Sequence, residues 1–288
     1  QLQEILIGSF VIFMMLSVGL DLSFDKIKAV FRQPRVLFSA LLVNYIIIPL
    51  AFLALIAMAN LEGMWAVGLL FVAVAPGGPV ASVLVQNARG HLALGVSILV
   101  VMNILNTVLT PLGVLALDAI QSADGGRPPL LGMVQTIIIY QILPLFLAME
   151  FRRQREAIAD RLQPILERAS KWILMTVAFV ILVIEFERLQ NLPLSLLIVI
   201  HIAVFISLAA GWWFTPGSRS DKVAISLITP YRSMSVVLLL LSAWIRNVDA
   251  LLAALAYSVA MLWICGGASI LIRRHQSQPH RPQSSPHP

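Results

Sequence analysis

Long apolar runs separated by short charged segments fill almost the whole chain. Nine of them, roughly 5–20, 36–58, 64–86, 92–117, 131–149, 171–187, 194–215, 223–245 and 250–272, suffice with tilt and soft ends to cross a hydrocarbon core of about 30 Å. The pattern predicts an all-α polytopic membrane protein. Two of the runs are interrupted. Phe71 to Arg89 carries Pro76, Gly77, Gly78 and Pro79 in its middle, and Val223 to Trp244 carries Pro230 and Arg232 near its centre. Proline inside a helix removes a hydrogen bond and kinks the chain, and backbone that leaves the helical ladder at membrane depth persists only where protein buries it or it lines a polar cavity. Two broken helices far apart in sequence point to a secondary transporter, with Pro76, Pro79 and Pro230 as the hinges.

Composition narrows the class further. Of 288 residues 59% are hydrophobic and 12% charged, whereas a soluble domain carries about 25% charged residues. The formal charge of +6 does not indicate nucleic acid, because the basic residues sit between apolar runs, where they orient a chain in a bilayer. Cys265 is the single cysteine and lies in an apolar run, which excludes a disulfide framework and a thiol metal cluster. The run 5–20 lacks the basic leader and small-residue exit of a signal peptide and reads as a spanning helix.

If that run exits into the cytoplasm, sixteen of the twenty Lys and Arg residues fall on the inner side, among them Lys26, Lys28, Arg152, Arg219 and Arg273. The outer loops then hold only Arg127, Arg188 and Arg246, so the expected topology is N-terminus out and C-terminus cytoplasmic, in a bacterial inner membrane.

The breaks fall in the third and eighth runs. Residues 1–118 then form a first four-helix unit, 119–149 an outer loop and the first helix of a second unit, and 150–171 an amphipathic cytoplasmic connector. The rest of the second unit is 172–274, and 275–288 is a polar, disordered tail whose histidines are solvated rather than metal ligands. One more helix ahead of Gln1 would give both units five helices with the break in the fourth. An odd number of spans per unit places the copies upside down, which is an inverted-repeat transporter fold.

All fourteen Asp and Glu residues lie in loops or near the ends of runs. That leaves Arg232, roughly 14 Å into its helix, as the one formal charge near the midplane. An arginine there costs about 2.5–3.5 kcal/mol on insertion scales, so it needs partners: carbonyls freed by the prolines, an anionic substrate, or water in a cavity. Two compatible readings stand, a cap for broken-helix carbonyls and a substrate-facing charge. Neutral polar residues at similar depth are Asn44, Ser82, Asn103, Asn106, Thr107, Ser226, Thr229, Ser233 and Ser235. Asn103, Asn106, Thr107 and Thr110 share one helix face, and such a stripe either lines a cavity or glues helices together. His201 reads as a proton relay or a structural histidine, and Tyr140 and Gln141 as packing and cavity-lining residues. The substrate-contact candidates are Arg232, Ser82, Asn103, Asn106, Thr229 and Ser233, with the half-helix ends at Gly77 and Gly78. No paired acids, metal cluster or nucleophile with its base appears at depth, so the pattern is not that of an intramembrane enzyme.

The series Gly19-Leu20-Asp21-Leu22, Arg32-Gln33-Pro34-Arg35, Pro49, Ala75-Pro76-Gly77-Gly78, Ala88-Arg89-Gly90, Leu92-Ala93-Leu94 and Leu109-Thr110-Pro111 resembles, in order and spacing over Met14 to Leu117, the bile acid:sodium symporter family. The second half resembles it mainly in hydropathy and in the position of its break. The resemblance implies ten helices in inverted repeats, a panel domain and a core domain, and two broken helices that cross. Nine runs here mean that the first family helix is absent or was cut away.

The departures concern sodium. Where sodium-dependent members carry a Ser-Asn pair after Pro-Gly-Gly, this chain has Ala81 and Ser82, and the hydroxyls of the next helix fall on Gly95 and Leu99. The family's Glu and its Gln-Asn pair in the second broken helix fall on Ile228, Arg232 and Ser233, and a Gln of an earlier helix falls on Asn44. The resemblance therefore implies at most a residual ion site at Asn44 and Ser82. The expected function is transport of a small organic anion by alternating access, with no cofactor and no normal sodium site. The alternatives are a sodium-coupled symporter for a bile-acid-like anion and, in another class, a degenerate transporter fold serving as a membrane sensor or scaffold.

Overall fold

A computed structural model describes residues 2–21, 33–121 and 130–276. Lys26, Lys28, Arg32, Arg127 and the tail beyond Gln276 lie outside the described residues. Among the described residues the regular elements are all helices: α1 Leu2–Asp21, α2 Pro34–Met58, α3 Gly63–Val74, α4 Ala81–Asn87, α5 Leu92–Gln121 and α6 Leu130–Gln154, then α7 Glu156–Ile184, α8 Phe186–Gln190, α9 Leu194–Trp213, α10 Arg219–Ile228, α11 Met234–Ile245 and α12 Val248–Gln276. Five of the described segments are long and apolar enough to cross a membrane: α2, α5 over Leu92–Ala116, α6, α9, and α12 over Val248–His275. Ile5–Asp21, α3 and α11 are shorter apolar helices. The protein is an integral membrane protein of helical class.

One element differs from the sequence pattern. The connector does not form a helix of its own: α6 runs to Gln154, the chain turns at Arg155 with φ −139°, and one continuous helix then extends from Glu156 to Ile184. Its polar half is supported by pairs one turn apart, Lys171 with Glu167 at 2.6 Å and Gln163 with Glu167 at 3.1 Å. The helix therefore needs no break where charge gives way to apolar residues.

The helices sort into two packed groups. In the first, α1 lies along α7 and the second half of α6. Arg152 donates to Leu20 O across that contact, and Gly19 lets the α6 backbone come close, since a Cβ there would stand 2.4 Å from Leu145 O. In the second, α12 packs on α3, and α9 packs on α2, α10 and α12. Three helices contain π turns, at Val43–Ile47, Ile138–Ile142 and Leu241–Ile245. A π turn admits one extra residue and frees a carbonyl, and the first two carry Asn44 and Gln141 at buried positions.

The start of α10 is fixed by a capping box. Ser218 Oγ accepts from Asp221 N at 3.2 Å, and the Asp221 carboxylate accepts from Ser218 N at 2.9 Å. His91, ahead of α5, joins this cap through Nδ1 to Asp221 Oδ1 at 2.7 Å and through its backbone N–H to Ser220 O at 3.1 Å. Asp221 precedes the apolar stretch that begins at Val223. Burial pushes its carboxyl up, but the hydrogen bonds from His91 and Ser218 outweigh that and hold it below the ordinary carboxylate range. A depressed folded value contributes stability that is present above the unfolded value of about 3.9 and is lost as pH falls through the lower folded value. Asp221→Asn is therefore expected to flatten the acid limb of a stability-against-pH curve. Thermal unfolding followed downward from neutral pH checks this, and an unchanged acid limb would show that the cap does not report on Asp221.

Candidate functional site

At Pro76 and Pro230 the backbone leaves the helix, and the two unwound stretches cross each other. Gly77 and Gly78 both donate their N–H to Tyr231 O at 3.1 Å, and Ser233 N donates to Ala75 O at 2.7 Å, which makes a single antiparallel bridge between Pro76 and Arg232. Gly77 sits at φ +96°, where a side chain is strained. Gly78 is required for a different reason: a Cβ there would stand 2.6 Å from Arg232 O.

The carbonyls freed by the breaks are answered one by one. Thr110 Oγ1 donates to Val74 O at 2.9 Å, Asn106 Nδ2 to Pro76 O at 2.6 Å and Asn103 Nδ2 to Gly77 O at 3.0 Å. On the other strand, Tyr257 OH donates to Pro230 O at 2.8 Å. The polar stripe of α5 is thus a ladder of donors matched to the first break; Thr107 Oγ1, within the same stripe, has no partner. Tyr45 holds the ladder from behind, with its hydroxyl 2.9 Å from Met102 O and 2.7 Å from Asn106 Oδ1. The roles of Tyr45 and Tyr257 were not legible from the pattern of runs, although a phenol inside an apolar run is itself a sign of a buried hydrogen bond.

Arg232 is 1% exposed. Its NH1 reaches Asn44 O, a carbonyl of the α2 π turn, at 3.4 Å, while Nε and NH2 have no hydrogen-bond partner. No carboxylate pairs with it among the described residues. Asn44 in turn donates to Ala40 O at 2.9 Å and to Thr229 Oγ1 at 3.4 Å. Thr229, Ser233 and Asn106 are fully buried at the crossing. The structure therefore brings Arg232, Asn44, Thr229, Ser233, Asn106, Gly77 and Gly78 into one buried knot.

Ser82 faces away from the knot and Asn103 lies at its edge. Both line a cavity of about 340 Å³ between the two helix groups, bounded by α1, α4, α5, α6 and α7. Most of its wall is apolar, with Phe10, Met14, Val83 and Leu99 among the lining side chains. One end carries Asp21, Gln163, Glu167 and Lys171, and Lys171 is the sole Lys or Arg of the wall among the described residues. Ser82 bonds its own turn at Pro79 O, 2.8 Å, and lines this cavity, whereas Asn44 bonds within the crossing, to Ala40 O and Thr229 Oγ1. Asn103 alone belongs to both places, since it lines the cavity and donates to Gly77 O.

The remaining candidates fall outside the knot. His201 Nδ1 is 2.7 Å from Leu197 O in its own helix, and its ring meets Trp263 edge-on. Gln141 is buried and donates to Asn103 Oδ1 at 3.1 Å; Tyr140 packs against the position of Gly8.

A sequence model of the Sodium Bile acid symporter family matches residues 9–192, which includes the first break and stops short of the second. The chain is 25% identical over 151 residues to the probable sodium/metabolite cotransporter BASS1, chloroplastic, of Arabidopsis thaliana, covering 52% of this chain and 38% of that protein. It is 33% identical over 100 residues to the protein of the same name in Oryza sativa subsp. japonica, covering 35% and 25%. It is 29% identical over 142 residues to the uncharacterized sodium-dependent transporter YocS of Bacillus subtilis (strain 168), covering 49% and 44%. The chain thus spans less than half the length of each of these relatives. With the family match extending over more than half of its residues, the chain belongs to the sodium bile acid symporter family, whose members are transporters and not enzymes.

Proposed function

We propose that the chain is a secondary transporter that moves a small organic anion by alternating access, with the guanidinium of Arg232 standing where relatives hold sodium. The observation that carries this is the buried, carboxylate-free Arg232 between the two breaks, bonded to the α2 π turn at Asn44. A cation about 5 Å from a bound sodium ion would oppose it by about 3 kcal/mol at an effective dielectric of about 20. Among the described residues no buried carboxylate stands at the site to offset that repulsion, and Ile228 occupies the place expected for one.

In this reading α1, α6 and α7 form the moving panel, and α2–α5 with α9–α12 form the core. The described helices then supply nine spanning elements of an inverted repeat, with the C-terminus in the cytoplasm of a bacterial cell. The cavity takes the substrate. Its apolar wall suits a hydrocarbon body, and an anionic head would take Lys171 at the charged end in exchange for its 2.6 Å pair with Glu167. The amides of Gly77 and Gly78 are already spent on Tyr231 O, so in this state the half-helix ends hold each other rather than a ligand.

The names of the relatives favour a second reading, sodium-coupled symport. Thermal unfolding of the purified protein in sodium chloride against potassium chloride at equal ionic strength separates the two. A ligand that binds only the folded state raises stability by RT ln(1 + [L]/Kd). The expected result is no sodium-specific shift; a shift that grows with sodium concentration would restore symport.

A further inference from the structure

We propose that Gln141 is the access-controlling residue of this transporter, a latch whose amide ties α6 to the crossing and closes the side of the cavity toward Met133 and Ile137. The inference rests on the alternating-access reading above. Met133, Ile137, Gln141 and Leu145 recur every fourth residue and form one buried stripe of α6. Leu145 lines the cavity, whereas Met133 and Ile137 are 0% exposed where α6 packs on α5 and α11. Gln141 is the boundary between the open half and the sealed half.

Its bonding marks it as more than filler. The amide donates to Asn103 Oδ1 at 3.1 Å, and Asn103 spends its own amide on Leu99 O at 2.9 Å and Gly77 O at 3.0 Å. One chain of hydrogen bonds therefore runs from the moving group into the unwound backbone of the first break. The other end of the Gln141 amide, Oε1, is buried with no partner. A half-satisfied amide is a poor way to fill a packed interface, and a leucine would fit the stripe without that penalty. It makes sense where the group must let go. In the switched state the bond to Asn103 opens, Asn103 keeps its hold on Gly77, and both ends of Gln141 meet water or substrate. The π turn at Ile138–Ile142 sets Gln141 at this point, because the extra residue rotates the stripe locally. Gln141 is a positioning residue: it acts on the crossing through Asn103.

The test needs no substrate. In a Cys265→Ala background, Ile137→Cys is exposed to a membrane-impermeant maleimide in right-side-out membrane vesicles, with and without Gln141→Leu. The expected result is alkylation about tenfold faster when the latch is removed, the population shift that one buried hydrogen bond can hold. Gln141→Met, nearly isosteric with glutamine, repeats the measurement if the leucine variant does not fold. A measurable rate that is the same with and without the amide overturns the latch and leaves alternating access standing. Silence at Ile137→Cys in every variant, while Val83→Cys in the cavity wall reacts in inside-out vesicles, overturns both together.

Discussion

Arg232→Gln is expected to gain a sodium-dependent rise in thermal stability that the natural chain lacks. The substitution removes the fixed positive charge and leaves an amide oxygen beside Asn44 and Thr229, which already face each other across 3.4 Å. If sodium then binds, the gain is about 2.7 kcal/mol at a hundred times its Kd. Arg232→Leu is the companion variant, since it removes the charge and supplies no oxygen; it is expected to show no sodium response. Neither should be much less stable than the natural chain in potassium chloride. Removing one member of a buried ion pair costs several kcal/mol because it strands the other charge, and no carboxylate pairs with Arg232 among the described residues. Relief of the insertion penalty, about 2.5–3.5 kcal/mol, acts in the variants' favour. A steep loss of stability in both variants would mean that Arg232 holds the crossing together as a structural cap, and the ion-replacement reading would fall.

Gly78→Val should have the largest effect on folding of any substitution at the crossing. The Cβ would meet Arg232 O at 2.6 Å and its carbonyl carbon at 3.3 Å, and both are backbone atoms fixed by the pairing of the two breaks. Overpacking of a tight interior costs about 1–3 kcal/mol where side chains can give way, and here the chain itself would have to move. The expected outcome is a marked fall in the unfolding midpoint or failure to recover monodisperse protein. Gly266→Ala serves as the control, because nothing lies within 4 Å of its added Cβ and alanine favours a helix over glycine by about 1 kcal/mol. A Gly78→Val protein as stable as the control would show that the two breaks can separate, contrary to the close approach described above.

The acid limb tied to Asp221 and the side-specific labelling at Ile137 probe two other joints of the same machine. One fixes the start of α10, and the other governs how the two helix groups meet.

Sequence alone determined the helical class and where the helices break, because both follow from local chemistry. Apolar runs must hide their backbone in helices, and Pro76, Gly77, Gly78, Pro79 and Pro230 forbid a continuous ladder wherever they stand. The same logic singled out Arg232, since a charge in an apolar run is conspicuous in one dimension. What each polar residue does was decided by the tertiary structure. Asn103, Asn106 and Thr110 looked alike as a stripe, yet each answers a different carbonyl of the first break, a match set by how α5 lies against it. Ser82 and Asn44 looked like one residual ion site, but α4 turns Ser82 into the cavity while the π turn in α2 turns Asn44 toward Thr229. Gln141 carried no more signal than any lone amide in an apolar run. Only the packing of α6 against the crossing gives it a partner, because which buried groups meet is fixed by three-dimensional contact and leaves no mark in spacing along the chain.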